Sequence, residues 1–111
     1  MSVLVFGSIN VDLVMRPVHL PVGGETVLSQ SYDALPGGKG ANQALAARRA
    51  GADVIFVGAV GDDAFSTIAL ANLAQDQVDT DSVARTEIPT GCAAVLVDDV
   101  GENAICVASG A

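Results

Sequence analysis

The sequence predicts an α/β fold that combines a small parallel sheet with a second group of exposed strands. Apolar runs and helical segments alternate over much of residues 3–75, the pattern of parallel strands joined by helices. Other segments alternate polar and apolar residues, as strands do when one face meets solvent. The 111 residues are enough for one small domain, and 50% of them are hydrophobic.

The first half of the chain is expected to contain three strands and a helix. Residues 3–6 form a continuous apolar run, which predicts a buried parallel strand. Residues 8–15 and 26–35 alternate polar and apolar side chains, and both segments are predicted to be half-exposed strands. A glycine-rich turn then leads into a helix over 40–50, which is expected to stop at Gly51.

The second half is expected to contain one more strand and helix of this kind, and then short strands. Residues 53–60 are predicted to form a second buried strand, and residues 64–75 a second helix. Asp62 and Asp63 lie between them, and we interpret them as a helix cap and an accompanying first-turn acid, not as a metal or acid/base pair. Three short strands are then predicted, at 82–85, 91–97 and 104–108.

Charge and hydropathy exclude several classes of partner. The chain has 13 acidic and 5 basic residues, a net charge of −8, whereas nucleic acids and anionic membranes attract clustered Lys and Arg. No segment reaches the roughly 20 apolar residues that a membrane-spanning helix needs. The first residues also lack the basic leader of a secretory signal. We therefore expect a cytoplasmic protein that binds neither nucleic acid nor membrane.

The two cysteines, Cys92 and Cys106, lie in the apolar segments on either side of a polar turn. If these segments pair as a hairpin, Cys106 lies roughly opposite Val95, so we expect reduced thiols and no disulfide. No cysteine pair has ligand spacing and the chain has a single histidine, so no metal site is expected.

Asn10 and Asp12 are the first candidate binding residues. In an alternating strand they share one face, about 6–7 Å apart. An ionised carboxylate offers two acceptors and an amide offers a donor and an acceptor, a combination that suits the vicinal hydroxyls of a sugar. Ordinary solvated residues on an exposed face would produce the same alternation, so both interpretations stay open.

The glycine-rich turn over 37–42 is the second candidate. It places Gly38, Lys39 and Asn42 at the start of a helix, where backbone amides and the helix dipole hold polar or anionic groups. A lysine is unfavourable at this end of a helix, and asparagine is a weak helix former, which favours a ligand role. A flexible strand-to-helix connection is the alternative.

Taken together, these segments resemble the ribokinase-like (PfkB) carbohydrate kinase family and, within it, the ribokinase group. The Gly-Gly-Lys-Gly-Ala-Asn-Gln-Ala run at 37–44 is the most specific part of the resemblance. A departure is Ser66, where the family often has glycine. The resemblance covers essentially the whole chain and is carried by residues 7–12, 24–26, 37–44, 61–63, 78–80, 90–91 and 101–103.

The resemblance implies a doubly wound α/β domain with a small β-sheet lid over a sugar site. Residues 1–111 would be its N-terminal, substrate-binding portion. It also implies ATP-dependent phosphorylation of ribose or a related sugar, with Mg²⁺ present. The substrate-binding residues that it implies are Asn10, Asp12, Gly38, Lys39 and Asn42.

No catalytic residue is expected within residues 1–111. The family's catalytic base and anion hole belong to a Gly-Ala-Gly-Asp segment, which this sequence does not contain, and its nucleotide site is also expected elsewhere. We therefore expect the chain to be inactive alone. The alternative is a non-catalytic module that binds sugar or associates with a second copy. We also expect the chain to self-associate through its lid strands, since lid strands of this family can pair between subunits and exposed strand edges favour pairing.

Overall fold

The computed structural model describes residues 1–111 and contains seven strands and two helices. The α/β prediction is confirmed, and every predicted helix and strand is present. The elements in chain order are β1 Ser2–Phe6, β2 Asn10–Pro17, β3 Ser29–Gly37, α1 Lys39–Arg49, β4 Asp53–Gly61, α2 Ala64–Gln75, β5 Val83–Thr86, β6 Gly91–Val97 and β7 Asn103–Ala108.

Three strands form a parallel core sheet in the order β1-β4-β5. Helix α1 packs on β1 and β4, and α2 packs on β4 and also on β2 and β3. Small residues allow this close packing, since Ala44 of α1 and Ala69 of α2 are both buried in the core cluster that also contains Phe56 of β4.

The other four strands form a second sheet, in the order β3-β2-β6-β7, which we call the lid sheet. Strand β2 pairs antiparallel with β3 and parallel with β6, and β6 and β7 form an antiparallel hairpin. The alternation of β2 directs Val11 into the core, where it is 0% exposed. The two alternating segments and the strands near residues 91 and 104 thus form one small sheet.

The prediction that β1 and β4 are buried on both faces is wrong. Leu4 and Phe6 of β1 are 64% and 81% exposed, and Ile55 of β4 is also exposed. Both helices cover the same face of the core sheet, which buries Val54 and Phe56 and leaves the opposite face uncovered. The continuous apolar runs therefore predicted the two strands correctly. They did not predict that helices cover only one face of the sheet.

Strand β3 differs from its prediction, because it runs from residue 29 to 37 and passes through Pro36. Pro36 lies opposite Val11 in the lid sheet. An edge strand tolerates proline, because one of its sides pairs with no neighbour. The extension brings Gly37 opposite Asn10, at the start of the polar face of β2.

The β6–β7 hairpin closes one residue away from the predicted register. Cys106 lies opposite Ala94, and Val95 lies opposite Ile105. The turn spans residues 98–102, where the Asp98 carboxylate accepts hydrogen bonds from the amides of Val100 and Glu102. Both cysteines are free thiols. Neither helix is long and apolar enough to cross a membrane.

Candidate functional site

An open cleft of about 470 Å³ lies between the lid sheet and the connections that leave the core sheet. Its walls come from the β1–β2 connection, strand β2, the start of α1 and the β6–β7 hairpin. The structure brings all five predicted binding residues to this cleft: Asn10, Asp12, Gly38, Lys39 and Asn42. Their role in binding stays a prediction.

Asn10 and Asp12 form the polar floor of the cleft. The side-chain amide of Asn10 donates a hydrogen bond of 2.8 Å to Oδ1 of Asp12. Oδ2 of Asp12 and the side-chain oxygen of Asn10 accept no hydrogen bond within the protein, so two acceptors are available to a ligand. The pair is half-buried and held in one orientation, which differs from two independent solvated side chains.

Gly37 determines where the Asp12 carboxylate lies, a role that the sequence analysis did not assign. A Cβ atom at position 37 would be 2.6 Å from Oδ1 and 2.7 Å from both Cγ and Oδ2 of Asp12. The carboxylate therefore lies flat against the Gly37 backbone, and any side chain at this position would displace it. No local sequence signal marks this contact, which follows from the cross-strand register of Gly37 and Asn10.

The amides at the start of α1 are less available to a ligand than the sequence analysis expected. The Ala41 amide donates to the Ser8 carbonyl at 2.9 Å, the Gly40 amide donates to Oγ of Ser8, and the Asn42 amide donates to the Gly38 carbonyl. This occurs because Gly40 lies directly on the β1–β2 connection, where a Cβ atom would be 2.6 Å from the Ser8 nitrogen. Because these three amides are engaged within the protein, side chains are important at this helix end.

Lys39 and Asn42 provide those side chains. Both are exposed, line the cleft and lie on the first turn of α1. Lys39 forms no ion pair and lies in a turn without acidic residues. Lys39 and Asp12 are the only ionisable side chains of the cleft, so it presents one donor cation and one acceptor anion to a ligand.

Comparison with known proteins places this arrangement in a family. The family described as pfkB family carbohydrate kinase matches residues 1–111, which is the whole chain.

The chain belongs to the pfkB family of carbohydrate kinases.

Individual relatives of this pfkB family chain are ribokinases. The ribokinase of Bacillus subtilis (strain 168) is 45% identical over 111 residues, which cover 99% of this chain and 38% of that protein. A crystal structure of ribokinase from Cryptococcus neoformans var. grubii serotype A in complex with ADP is 38% identical, with a TM-score of 0.83 over 97% of this chain and 34% of that one. Arabidopsis thaliana ribokinase complexed with ribose and ATP is 35% identical, with a TM-score of 0.88 over 97% and 36%. This pfkB chain thus spans little more than a third of the length of each of these proteins.

The residues of the pfkB chain do not form a magnesium site on their own. No three His, Cys, Asp or Glu side chains come together as they would to hold a metal. Asp12 is the only carboxylate of the cleft, and one of its oxygens is engaged by Asn10. Mg²⁺ demands near-octahedral oxygen ligands, which a single shared carboxylate does not supply.

A second polar cluster in the pfkB chain lies at the base of the lid sheet. Asp63 is the N-cap of α2, as predicted, and its Oδ1 accepts hydrogen bonds from the Ser66 amide at 3.0 Å and from Oγ1 of Thr90 at 2.7 Å. Its Oδ2 accepts from the Thr90 amide at 2.9 Å. These bonds, those from Thr90 foremost, hold the pKa of Asp63 below its ordinary value of 3.8. Asp62 precedes the cap, so the expected acid in the first turn is absent.

We expect Asp63 to contribute to acid sensitivity. Because its pKa is lowered by folding, ionised Asp63 stabilises the fold above about pH 3.8, and this contribution is lost as the pH falls through the lowered pKa. Urea unfolding midpoints, measured from neutral pH down to about pH 3, should therefore fall less steeply in Asp63→Asn than in the wild-type protein.

Asparagine also caps helices well, so the variant tests the charge at position 63 and leaves the capping of α2 in place. Glu25 also has a lowered pKa, because it accepts from the Val22 amide and from His19, but it is common to both proteins and cancels in the difference. If the urea unfolding midpoints of the two proteins fell equally with pH, Asp63 would not contribute to acid sensitivity.

Several residues of the pfkB cleft were not found by sequence reasoning. Ala93 and Val107 lie on the same rung of the lid sheet as Asp12, since Asp12 pairs with Ala93 and Ala93 pairs with Val107. Ser8 and Ser109 also line the cleft. Small and aliphatic residues carry no local functional signal, and only the strand register brings them to the cleft.

Proposed function

We propose that residues 1–111 form the sugar-binding portion of an ATP-dependent carbohydrate kinase that acts on ribose or a close relative. The observation that carries this proposal is the Asn10–Asp12 pair, which is fixed by a 2.8 Å hydrogen bond and faces an open cleft with two free acceptors. Membership of the pfkB family and the likeness to ribokinases support the same assignment.

The cleft suits a small polyol in both its polar and its apolar parts. Oδ2 of Asp12 and the side-chain oxygen of Asn10 accept hydrogen bonds from two neighbouring hydroxyls, and Lys39 and Asn42 donate from the start of α1. Ala93 and Val107 provide an apolar surface for the C–H groups of a sugar ring. Contacts on several sides orient the ligand and so hold one hydroxyl in position for reaction.

ATP would supply the phosphoryl group that the sugar hydroxyl attacks. The part of the reaction assigned to these residues is binding and orientation of the sugar, and Mg²⁺ enters none of their contacts. Asp12 already accepts a hydrogen bond from Asn10, and we assign it to hydroxyl recognition and not to proton removal. Lys39 is the only cation of the cleft, and we assign to it the stabilisation of negative charge that develops during phosphoryl transfer.

Titration calorimetry with ribose tests this function. Ribose should bind, and 2-deoxyribose should bind more weakly, because it lacks one of the two neighbouring hydroxyls that Asn10 and Asp12 are proposed to recognise. Fructose and adenosine, each with and without MgATP, determine which sugar or nucleoside fits best. Equal affinity for ribose and 2-deoxyribose would contradict recognition of a vicinal diol by this pair.

This chain alone is expected to phosphorylate no sugar at a useful rate. Its cleft offers one carboxylate and one ammonium group, whereas phosphoryl transfer depends on several groups that stabilise charge around the transferred phosphate. A coupled ADP-release assay with ribose and MgATP, with contaminating host kinases excluded, provides the measurement. Turnover comparable to that of an intact sugar kinase would show that these residues perform more of the chemistry than we propose.

A non-catalytic module that associates through its lid is the second candidate. Strand β7 is an edge of the lid sheet, is exposed along all six residues and presents Ile105 and Val107 to solvent. An edge of this kind pairs readily with another strand, including that of a second copy. Sedimentation velocity distinguishes the candidates, because self-association without any ribose affinity would favour this second function.

A further inference from the structure

We propose that Asp63 and Thr90 form a clamp that positions strand β6 of the lid sheet over the cleft. They would be positioning residues for the proposed sugar site, not groups that touch the ligand. The consequence for sugar binding rests on the proposed function, whereas the mechanical role of the clamp does not.

The clamp joins three separate elements through one carboxylate and one hydroxyl. Thr90 donates to Asp63 through its hydroxyl at 2.7 Å and through its amide at 2.9 Å. The same hydroxyl accepts a hydrogen bond of 2.9 Å from the amide of Gly61, the last residue of β4. The end of the core sheet, the start of α2 and the entry to β6 are thereby held together.

The clamp lies immediately before the strand that it positions. Thr90 is followed by Gly91, which pairs with Asn10, and two residues later Ala93 pairs with Asp12. A Cβ atom on Gly91 would be 3.2 Å from Cβ of Asn10, so the backbone of β6 lies directly beside the polar floor of the cleft. A shift at Thr90 is therefore transmitted to both Asn10 and Asp12.

The Thr90 side of the clamp is shielded from water, whereas Asp63 is exposed. Thr90 is 4% exposed, and its bond to the Gly61 amide is buried. A Cβ atom on Gly61 would be 2.6 Å from Oδ2 of Asp63 and 2.7 Å from the Thr90 nitrogen, so Gly61 is packed closely against both clamp residues. Removal of the Thr90 hydroxyl leaves the Gly61 amide buried without its acceptor, which is costlier than the loss of an exposed bond.

Ser66 extends the same cluster to the edge of the core sheet. It is 1% exposed, donates from Oγ to the Asp63 carbonyl at 2.7 Å, and accepts from the Arg85 guanidinium of β5 at 3.2 Å. A glycine at position 66 would remove both contacts. Ser66 therefore connects the clamp of this chain to β5.

Amide hydrogen exchange of the wild-type chain and of Thr90→Val tests the clamp. Valine keeps the shape of threonine but removes the hydroxyl. We expect the β6 amides to exchange about tenfold faster or more in this variant, while the amides of α1 and of the first half of β4 keep their wild-type rates. Thr90→Ser, which retains the hydroxyl, should restore slow exchange in β6.

Thr86→Val is the matched control. Thr86, the last residue of β5, also carries a hydroxyl, but that hydroxyl bonds only to Ile88. This variant should leave exchange in β6 unchanged. Unchanged β6 exchange in Thr90→Val, or an equal acceleration throughout the chain, would overturn the clamp, since Thr90 would then act either not at all or only on overall stability.

Ribose titration of the same variants separates this proposal from the proposed function. If the function is correct, Thr90→Val should weaken ribose binding about threefold to tenfold, and Thr90→Ser should restore it. Faster exchange in β6 with unchanged ribose affinity would refute the link between the clamp and the site. Absence of ribose binding by the wild-type chain would refute the sugar function alone, because the exchange result still decides the clamp.

Discussion

Gly38→Ala is expected to destabilise the fold by about 2–6 kcal/mol, a large part of the stability of a small domain. Gly38 has φ of 98° and ψ of 133°, a conformation that residues with a Cβ atom rarely adopt. A Cβ atom there would also be 2.7 Å from the Ser8 carbonyl oxygen and 2.8 Å from Cα of Ile9. Urea unfolding followed by circular dichroism measures the loss.

Gly51→Ala is the matched control for that experiment. Gly51 has a φ of +103°, so alanine is strained there too, but no atom lies within 4 Å of the new Cβ position. The control should lose only about 1–2 kcal/mol. If the two variants were equally destabilised, the close approach of Gly38 to the β1–β2 connection would contribute nothing, and only its backbone conformation would matter.

Asp12→Ala is expected to have the largest effect on binding. A hydrogen bond to a charged group contributes about 1.5–3 kcal/mol, so the affinity for ribose should fall about tenfold to a hundredfold. Asp12→Asn should weaken binding less, because the asparagine oxygen still accepts. Titration calorimetry with ribose is the measurement.

Asp33→Ala provides the control for charge. Asp33 lies in the same lid sheet, opposite Val14, is exposed and does not line the cleft. Its removal changes the net charge of the protein by the same amount as Asp12→Ala and should leave ribose affinity unchanged. If both variants lost the same ribose affinity, the contribution of Asp12 would be a general effect of its charge and not a direct hydrogen bond.

Local patterns predicted the fold and five of the fourteen residues that line the cleft, because both depend on short-range rules. The period of two along β2 is enough to place Asn10 and Asp12 on one face, and Asp63 followed by an apolar helix is enough to predict a cap. Residues at positions 37–42 were assigned to a ligand site from the chemistry of a helix start, and Gly38, Lys39 and Asn42 do line the cleft.

The remaining features depend on contacts between residues far apart in the chain. The Asp63–Thr90 bonds join residues 27 positions apart, and the Ser8 bond to Gly40 joins residues 32 apart. Nothing in the local sequence of either partner shows such pairing. Likewise, the hydrophobicity of Leu4 and Phe6 is compatible with either one or two covered faces, so their exposure was missed.

The parallel pairing of β2 with β6 has a consequence for how the protein folds. Asn10 pairs with Gly91, so one wall of the cleft must wait for a strand that is synthesised some 80 residues later. The β2–β3 ribbon is local and forms early, whereas distant pairings carry a large loop-closure cost and form slowly. We therefore expect the cleft to be among the last features to form. Strand β4 and helix α2, which lie between β2 and β6 in the chain, are already synthesised by then.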